Sequence, residues 1–598
     1  MKSLAMLMAV LLTASLCTAQ AQTAEKKSKH EKRKAESGVT QEQFNQLRED
    51  MQAQIDALKQ MLTAKDSQLS TAQQGTADAQ TQAAAATAAA TQASTAAATA
   101  TTKVETLQST VNDLKSVSTS LTDTVVTDQQ QMHEQIESPA AIHYKGVEIT
   151  PVGFLAAESV VRTRSVNSDI NTPFNSIPYM NSGQAYTSEF NGSGRQSRIG
   201  ALVTAKVPFG KLNGYYEADF LGAGITSNNN QSNSYVLRQR QVWGQVAMNS
   251  GLTFTGGQLW SLVTETKKSL NPATENLPQT IDPQYHVGFS WTRQYGVRLT
   301  QTFAGGKGTV GFSLEEPQIV GYTSSTTPPD FFVGGIGTGG GLYNLTNKYS
   351  NNVAPDVVVK VAAEPGYGHF EIGGIARWFR ARVYPNQTAT VSNATGAFND
   401  TKTGGGVFVN ARFPVTKKLD LGLHFMGGDG VNRYGSSQLA DVTVHPDGRL
   451  EPLRGLQGLL SIETHPTKKL DIFGYAGSEY AQRTVYNVGG VITGYAPVTI
   501  NTSTCFAEQA ATPPATGSTG GVFGGAPYDP SSSCGAQTRV IDEGTFGFTY
   551  RFFNTPAKGR IQYSMQYSYF TKQAWVGTAG APKATNNMVF TGFRYYIP

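Results

Sequence analysis

IQYSMQYSY, residues 561–569, decides the fold because its side chains alternate with a period of two. One face carries only large apolar side chains: Ile561, Tyr563, Met565, Tyr567 and Tyr569. The other carries amides and hydroxyls: Gln562, Ser564, Gln566 and Ser568. Such a strand fits between lipid on one side and a water-filled lumen on the other. Phe546, Phe548, Tyr550 and Phe552 alternate with polar or small residues in the same way. Two such strands also occur in soluble all-β proteins, so the rest of the chain must separate the two classes.

The composition favours strands and turns. The 598 residues include 62 glycines, 25 tyrosines and 28 phenylalanines, and only 15% are charged. After the N-terminal residues no run of about 18 apolar residues occurs, which excludes a helical membrane protein. The mean hydropathy of -0.29 fits a transmembrane barrel, because lipid-facing and lumen-facing residues average out. The net charge is 48 − 43 = +5, which is too small to predict nucleic-acid binding.

Seven short turns set the strand count. Four share a proline, a short basic or glycine turn and a new strand: VPFGKLNGYYEADF (207–220), FPVTKKLDLGLHF (413–425), HPTKKLDIFGYAG (465–477) and TPAKGRIQYSMQY (555–567). With three others, the turns lie near residues 208, 250, 306, 365, 414, 466 and 556. Seven hairpins, one strand before Thr163 and the terminal FTGFRYYIP (590–598) make about sixteen antiparallel strands. The sequence therefore predicts an all-β transmembrane barrel over 139–598, closed between its first and last strands.

The N-terminal part of the chain has three segments. Residues 1–21 resemble a signal peptide, with Lys2, an apolar run and the small-residue pattern AQA, so the protein is predicted to be exported. Residues 22–39 are basic. Residues 40–138 repeat apolar residues at heptad-like spacing on both sides of an Ala-rich middle, which predicts an α-helical coiled coil. A disordered Ala-rich linker is the alternative interpretation.

Several segments, taken in order, resemble a known family. They are GRQSRIGALVTAKVPFGKLNGYYEADFLG (194–222), VLRQRQVWGQVAMNSGLTFTGGQLWS (236–261), RQYGVRLTQ (293–301) and GGDGVNRYG (427–435). They are similar to the DcaP-like trimeric outer-membrane porins. The resemblance implies a periplasmic coiled coil, a sixteen-stranded barrel and uptake of small anionic molecules such as dicarboxylates. Separately, Gly592-x-x-Tyr595-x-Ile597 resembles the C-terminal signal that the outer-membrane assembly machinery recognises, although Pro598 departs from it.

Strand parity nominates the pore residues. It directs five arginines toward the lumen: Arg198, Arg238, Arg240, Arg298 and Arg377. A charged side chain on the lipid face would cost about 2 to 4 kcal/mol near the bilayer midplane. Glu217 and Asp219 share an inward face and are predicted to form an acidic patch opposite the basic one. Rings of arginine select anions and bind carboxylates bidentately. The alternative is that these arginines lie at the rim, paired with lipid headgroups or with the two acids.

Enzyme chemistry finds no support in the sequence. GGKGT (305–309) lacks the Ser or Thr that must follow the lysine of a phosphate-binding loop. The histidines show no paired metal spacing, so neither a metal site nor a cofactor is predicted. Cys505 and Cys534 flank a loop rich in Pro, Gly and Ser, and in an exported protein they are predicted to form a disulfide.

The sequence thus predicts a porin in the outer membrane of a Gram-negative-type bacterium, with its coiled coil in the periplasm. It would allow passive diffusion of small hydrophilic, anionic solutes and would assemble as a homotrimer. The expected partners are outer-membrane lipid, the assembly machinery and the solutes themselves, with peptidoglycan as a further candidate and no nucleic acid. The alternative function is structural, a barrel that tethers the outer membrane to the cell wall through its coiled coil.

Overall fold

The computed structural model describes residues 141–222, 236–321, 331–333, 353–388, 390–508, 534–555 and 558–598, together with helical residues Lys103, 107–112 and Lys115. The predicted signal peptide and basic segment lie outside the described residues, as does most of the predicted coiled coil. In the part of the chain that the structure describes, no helix is both long and apolar enough to cross a membrane.

Sixteen antiparallel strands of the described chain form one sheet that closes on itself, as predicted. In chain order they are β1 Val147–Arg162, β2 Arg198–Val207, β3 Gly210–Gly222, β4 Val236–Met248, β5 Leu252–Trp260, β6 Arg293–Phe303, β7 Gly308–Glu315, β8 Asp356–Ala363, β9 His369–Val383, β10 Phe398–Thr416, β11 Leu419–Asp429, β12 Arg454–Thr467, β13 Leu470–Ala481, β14 Thr538–Thr555, β15 Gly559–Ala574 and β16 Lys583–Tyr596. Each pairs with its sequence neighbours, so the wall has no open edge.

The first and last strands close the barrel, which confirms the predicted closure by the terminal strand. The β1–β16 ladder runs from the pair Phe154 and Tyr596 to the pair Arg162 and Met588. The rings of Phe154 and Tyr596 lie 5.1 Å apart inside this seam. On its other edge β1 pairs first with β2 and then with the short strand Glu189–Ser193.

All seven short turns join consecutive strands at the predicted places. Two of the prolines lie within their strands and do not end them. Pro414 still pairs with Asp420, and β10 continues to Thr416 after a shift in register. A similar shift between Thr464 and Thr467 surrounds Pro466. Proline donates no hydrogen bond, so a bulge accommodates it and the strand continues beyond it.

The two faces of the wall follow the predicted alternation. On β15, Met565, Tyr567 and Tyr569 are exposed outward, whereas the intervening polar residues are buried inside. Outward-facing large apolar side chains recur around the barrel, including Ile199, Phe254, Leu299, Ile462 and Phe546. An outer surface of this kind is stable against lipid rather than water.

The shorter elements lie in the connections. Ile142–Tyr144 pairs with the start of β1, and Phe331–Val333 with the end of β9. Two small ribbons pair Val442–Val444 with Leu450–Pro452 and Thr484–Val488 with Val491–Tyr495. Single turns of 3-10 helix occur at Phe174–Ser176, Gly183–Tyr186, Ala304–Gly306, Asn432–Tyr434 and Ser503–Cys505.

Candidate functional site: an arginine cluster inside the barrel

Residues 261–292, the connection between β5 and β6, fold into the barrel, and we call them the inner loop. Three prolines, Pro272, Pro278 and Pro283, prevent the segment from extending the sheet. Its apolar side chains Leu262, Val263 and Leu270 are buried against inward-facing residues of β8 to β11, namely Val358, Ala362, Ile375, Phe408 and Met426. These wall positions are apolar because they contact the loop instead of water.

Carboxylates of the wall hold the inner loop through its backbone amides. The N–H of Leu262 donates to Glu315 (2.7 Å) and that of Thr266 to Glu371 (3.1 Å). Further along the loop, Ser269 N–H donates to Glu364 (2.7 Å). The next two contacts come from the other side of the barrel. Val287 N–H donates to Glu543 (2.9 Å), and Gly288 N–H donates to Glu479 (2.8 Å). The loop is therefore attached to β7, β9, β13, β14 and the β8–β9 turn.

An aromatic cluster extends the packing of the inner loop across the interior of the barrel. Trp260, Tyr285 and Phe289 pack with three residues of the β12 and β13 wall: Leu459, Phe473 and Tyr475. The alternation in strand 561–569 fitted a water-filled lumen on its polar side, but the sequence did not show whether the pore is open or plugged. In this sector protein fills the lumen instead, because the inner loop carries apolar side chains that need apolar partners.

Three of the predicted arginines meet both predicted acids on β2, β3 and β4. Arg238 forms a bidentate pair with Asp219, with Nε and Nη2 at 2.9 and 2.8 Å from its two carboxylate oxygens. Arg240 contacts Asp219 at 2.8 Å and also contacts Glu217, while Arg198 lies 3.9 Å from Glu217. The two acids were predicted to face the arginines across the lumen. They lie beside them instead, because Asp219 is in register with Arg198 on one side and Arg238 on the other.

A bulge in β4 concentrates this charge. Gln241 pairs with Glu217 and Gln239 pairs with Ala218, so Arg240 is the extra residue between them. A bulge breaks the alternation locally, and Arg240 and Gln241 are both buried inside although they are adjacent in sequence.

A fourth arginine, Arg293, joins the cluster and was missed by the sequence analysis. Its guanidinium lies 5.1 Å from the ring centre of Trp260 and 5.4 Å from that of Trp291. Its Nε and Nη1 are buried without a hydrogen-bond partner. It lies near enough to Arg240 and Tyr285 for electrostatic interaction with both. By strict alternation Arg293 shares the outward face of Tyr295, so no sequence signal would have placed it inside.

The cluster carries an excess of positive charge. Four guanidinium groups, those of Arg198, Arg238, Arg240 and Arg293, face two carboxylates, those of Glu217 and Asp219. Glu275 of the inner loop lies nearby, but burial raises the pKa of its carboxyl to about 8. It is therefore mainly neutral at pH 7, and the excess is about 4 − 2 = 2 charges.

The other two predicted arginines lie apart from the cluster and have their own partners. Arg377 is fully buried between Asp356 (3.0 Å) and Asp441 (2.9 Å) and also contacts the carbonyl oxygens of Gly430 and Gln318. Arg298 is buried as well and donates to the carbonyl oxygen of Trp260 (2.6 Å). The predicted set of five inward arginines is thus one cluster of three with two separate members, and not a continuous ring.

A buried polar chain connects the inner loop with β10 and β11. Ser290 Oγ lies 3.0 Å from His424 Nε2, and His424 Nδ1 lies 2.5 Å from Asn410 Oδ1. Asn410 Nδ2 donates to Glu371 (2.6 Å), so its oxygen must accept from the histidine. The cavity beside Ser290 has a volume of about 20 Å³, which is room for one water molecule and no organic substrate. This chain is suited to holding the loop.

Cys505 and Cys534 form a disulfide in the structure, with an S–S distance of 2.09 Å. Cys505 is buried at the end of a 3-10 turn, and the neighbouring Thr502 donates to the carbonyl oxygen of Gly580 (3.1 Å). The bond therefore fastens a long connection where it packs against the β15–β16 turn.

No family model matches the chain, and no curated protein matches it significantly. Among solved structures it is similar to the outer-membrane channel DcaP of Acinetobacter baumannii, with 14% identity and a TM-score of 0.51 over 77% of this chain and 100% of that one. It is also similar, at a TM-score of 0.40 and 10% identity, to an anion-selective porin from Comamonas acidovorans, over 75% of this chain and 100% of that one. Likeness at such low identity shows the fold, and at that level it confirms the resemblance seen in the sequence. The chain therefore has the β-barrel fold of the outer-membrane channel DcaP.

Proposed function

We propose that this protein is an outer-membrane porin that allows passive diffusion of small hydrophilic anions, with dicarboxylates as the favoured class. The observation that carries the proposal is the cluster of four guanidinium groups and two carboxylates on the inner wall beside the inner loop. An uncompensated positive charge in a confined low-dielectric space attracts anions and repels cations.

The geometry of the cluster supports carboxylates over spherical anions. Arg238 already binds Asp219 through two parallel hydrogen bonds, and 32% of its side chain remains exposed. Arg198 is 16% exposed, and among the ion pairs of the described residues it has only the 3.9 Å contact with Glu217. A solute with two carboxylates would pair with guanidinium groups in the same planar arrangement.

The outer-membrane location and a homotrimeric assembly belong to the same proposal. The apolar outer face requires a lipid setting, and a closed barrel satisfies its backbone there. The predicted coiled coil would join three chains on the periplasmic side, near the cell wall.

Reversal potentials across planar bilayers test the function. With the purified protein in a potassium chloride gradient, we expect anion preference. Changing Arg238 and Arg240 to Ala reduces the cluster from four guanidinium groups to two and its charge excess from 2 to 0, so most of the preference should disappear. Arg454→Ala is the matched control, because Arg454 pairs with Asp429 at an exposed position outside the cluster. Cation preference in the unaltered protein would refute the proposal.

A structural role is the second candidate, and the inner loop favours it. A loop attached to five parts of the wall and continued by an aromatic cluster leaves little open lumen in that sector. A barrel of this kind serves equally to anchor a coiled coil that reaches the cell wall. Absence of single-channel conductance in a correctly folded preparation would favour this function over the porin.

A further inference from the structure

Six lysines form an arc at the short-turn end of the barrel. They lie on four neighbouring turns, joining β2–β3, β10–β11, β12–β13 and β14–β15: Lys211, Lys417, Lys418, Lys468, Lys469 and Lys558. All six side chains are exposed. The turns adjoin one another around the wall, with only β16 and β1 between the last turn and the first.

Two carboxylates beside these turns contact other cations, and a third, Glu148 at the start of β1, is exposed and lies across the ladder from Thr204. Asp471 binds His465 (2.8 Å) and Arg551, and Asp420 faces His465 at 3.5 Å. Among the described residues none of the six lysines has an ion-pair partner. Lys206 stands directly across the ladder from Lys211, and like charges in that position destabilise a hairpin unless an anion lies close.

Outward-facing apolar side chains place the arc at the edge of the lipid-facing surface. Phe209 occupies the same turn as Lys211, Phe413 and Val415 precede Lys417, and Phe552 precedes Lys558, and all four of these apolar side chains are exposed. Aromatic rings concentrate at the level of lipid headgroups, and lysines near such rings extend toward the headgroup phosphates. Lys211 has the strand parity of the inward-facing Glu217 and Asp219, whereas the other five lysines lie in turns beyond the strand ends, and these five give the arc the position and the chemistry of a headgroup contact.

We infer that this lysine arc binds the phosphate groups of anionic phospholipids in the leaflet at the short-turn end, which is the periplasmic leaflet in the proposed orientation. The inference rests on the membrane location proposed above but not on transport. Each anionic headgroup would lie beside one or two ammonium groups of the arc, and it would supply the ion-pair partner that these lysines lack among the described residues. The protein would therefore bind anionic lipids more strongly in this leaflet than in the opposite one.

Spin-labelled lipids test this inference. The full-length protein is reconstituted in phosphatidylcholine vesicles with trace spin-labelled phosphatidylglycerol or phosphatidylcholine, and the motionally restricted fraction of each is measured by electron paramagnetic resonance. We expect phosphatidylglycerol to be preferred, on the order of fivefold for a headgroup in contact with one lysine. The preference should fall to near equality when all six lysines are changed to Gln, and it should return when they are changed to Arg.

Lys583→Gln is the matched control, since this lysine is exposed at the start of β16, at the long-loop end, and its change should leave the preference unchanged. Heat-modifiability on gels checks that each variant folds. Equal affinity for both lipids in the unaltered protein would overturn the inference. So would a six-Gln variant that keeps the lipid preference but loses anion preference in bilayers, because the lysines would then serve the mouth of a pore. A loss of lipid preference with unchanged reversal potential supports the inference even if transport itself is disproved.

Discussion

At the scale of single residues, the interior departs from alternation where charge is concentrated. Arg240 points inward together with its neighbour Gln241 because the strand carries an extra residue at that point. Arg293 points inward because it is the first residue of β6, where the chain leaves the inner loop. Regular alternation already places Arg238 and Arg240 on one inward face, so the bulge accounts for the burial of Gln241 beside Arg240, and only Arg293 depends on a departure that alternation could not predict.

Glu275 makes the selectivity of the cluster dependent on pH. Burial raises its pKa to about 8, so its carboxyl is neutral below that pH and negative above it. As pH rises from 7 to 9, the charge excess of the cluster should fall by nearly one unit, and anion preference should weaken. Reversal potentials at both pH values measure this effect. Glu275→Gln should remove most of the change.

Tyr285 needs its own variant in that experiment. Burial raises its pKa, but the guanidinium groups of Arg198, Arg240 and Arg293 lower it more, and the net direction is downward. Its ionisation at high pH would weaken anion preference in the same direction as that of Glu275. If Glu275→Gln still shows the full pH effect and Tyr285→Phe abolishes it, the effect belongs to the tyrosine.

At the scale of elements, the hairpins were predictable from the sequence and the inner loop was not. In a strand such as 561–569, the alternation of apolar and polar residues shows which side chains lie on which face. Pro and Gly residues mark the adjoining turns. The inner loop has no period, and its partners Glu315, Glu371, Glu479 and Glu543 lie on distant strands. Among the acids, only Glu217 and Asp219 were predicted to face inward, and no prediction was made for these four. Even where strand parity puts an acid inside, it does not show whether the acid binds a backbone amide or a solute.

Glu479 is the carboxylate whose removal should affect the inner loop most. It accepts from Gly288 N–H (2.8 Å), Ser436 Oγ (3.0 Å) and Ser437 N–H (3.2 Å), and so joins the inner loop and residues 430–453 to β13. Glu479→Ala leaves these donors unpaired, at about 1 to 3 kcal/mol for each buried group. We expect faster hydrogen exchange at 286–289 and larger conductance fluctuations.

The matched control for this change is Glu451→Ala. Glu451 is exposed and contacts only His445, at 3.3 Å, among the hydrogen bonds of the described residues. Hydrogen exchange in the inner loop should be unaffected by it. Equal protection of Gly288 in Glu479→Ala and the unaltered protein would show that packing alone holds the loop.

The disulfide should stabilise its own connection and not the barrel. The bond closes a sequence separation of 29 residues, for which the chain-entropy model gives about 3 to 4 kcal/mol. None of the sixteen barrel strands lies between the two cysteines. In the double Ser variant of Cys505 and Cys534 we expect faster proteolysis within 496–537, with unchanged heat-modifiability. Loss of the folded band of this variant on gels would contradict the prediction. In the unaltered protein, non-reducing peptide mapping should recover Cys505 and Cys534 joined.

At the scale of the whole molecule, we expect a detergent-stable homotrimer. Heptad-spaced apolar residues in 40–138 would associate in parallel, while apolar surfaces of the barrels would meet within the membrane. Native mass spectrometry of the full chain measures the assembly. Deleting 22–138 should shift the mass distribution toward monomer without preventing the barrel from folding. A monomeric full-length protein would rule the trimer out.

The seam between β1 and β16 also determines how the chain can reach its native state. Ser159 and Thr591 share a hydrogen bond although 432 residues separate them. A β1 strand made early in synthesis has no partner on that edge until the last strand is available, so it must be shielded from aggregation during this interval. Closure then joins the two ends of the polypeptide in one step with a large loop-closure entropy, and slow kinetics are the expected result. Slow closure therefore follows from a barrel that has no open edge. The same topology requires a partner that shields the unclosed sheet until the last strand is available.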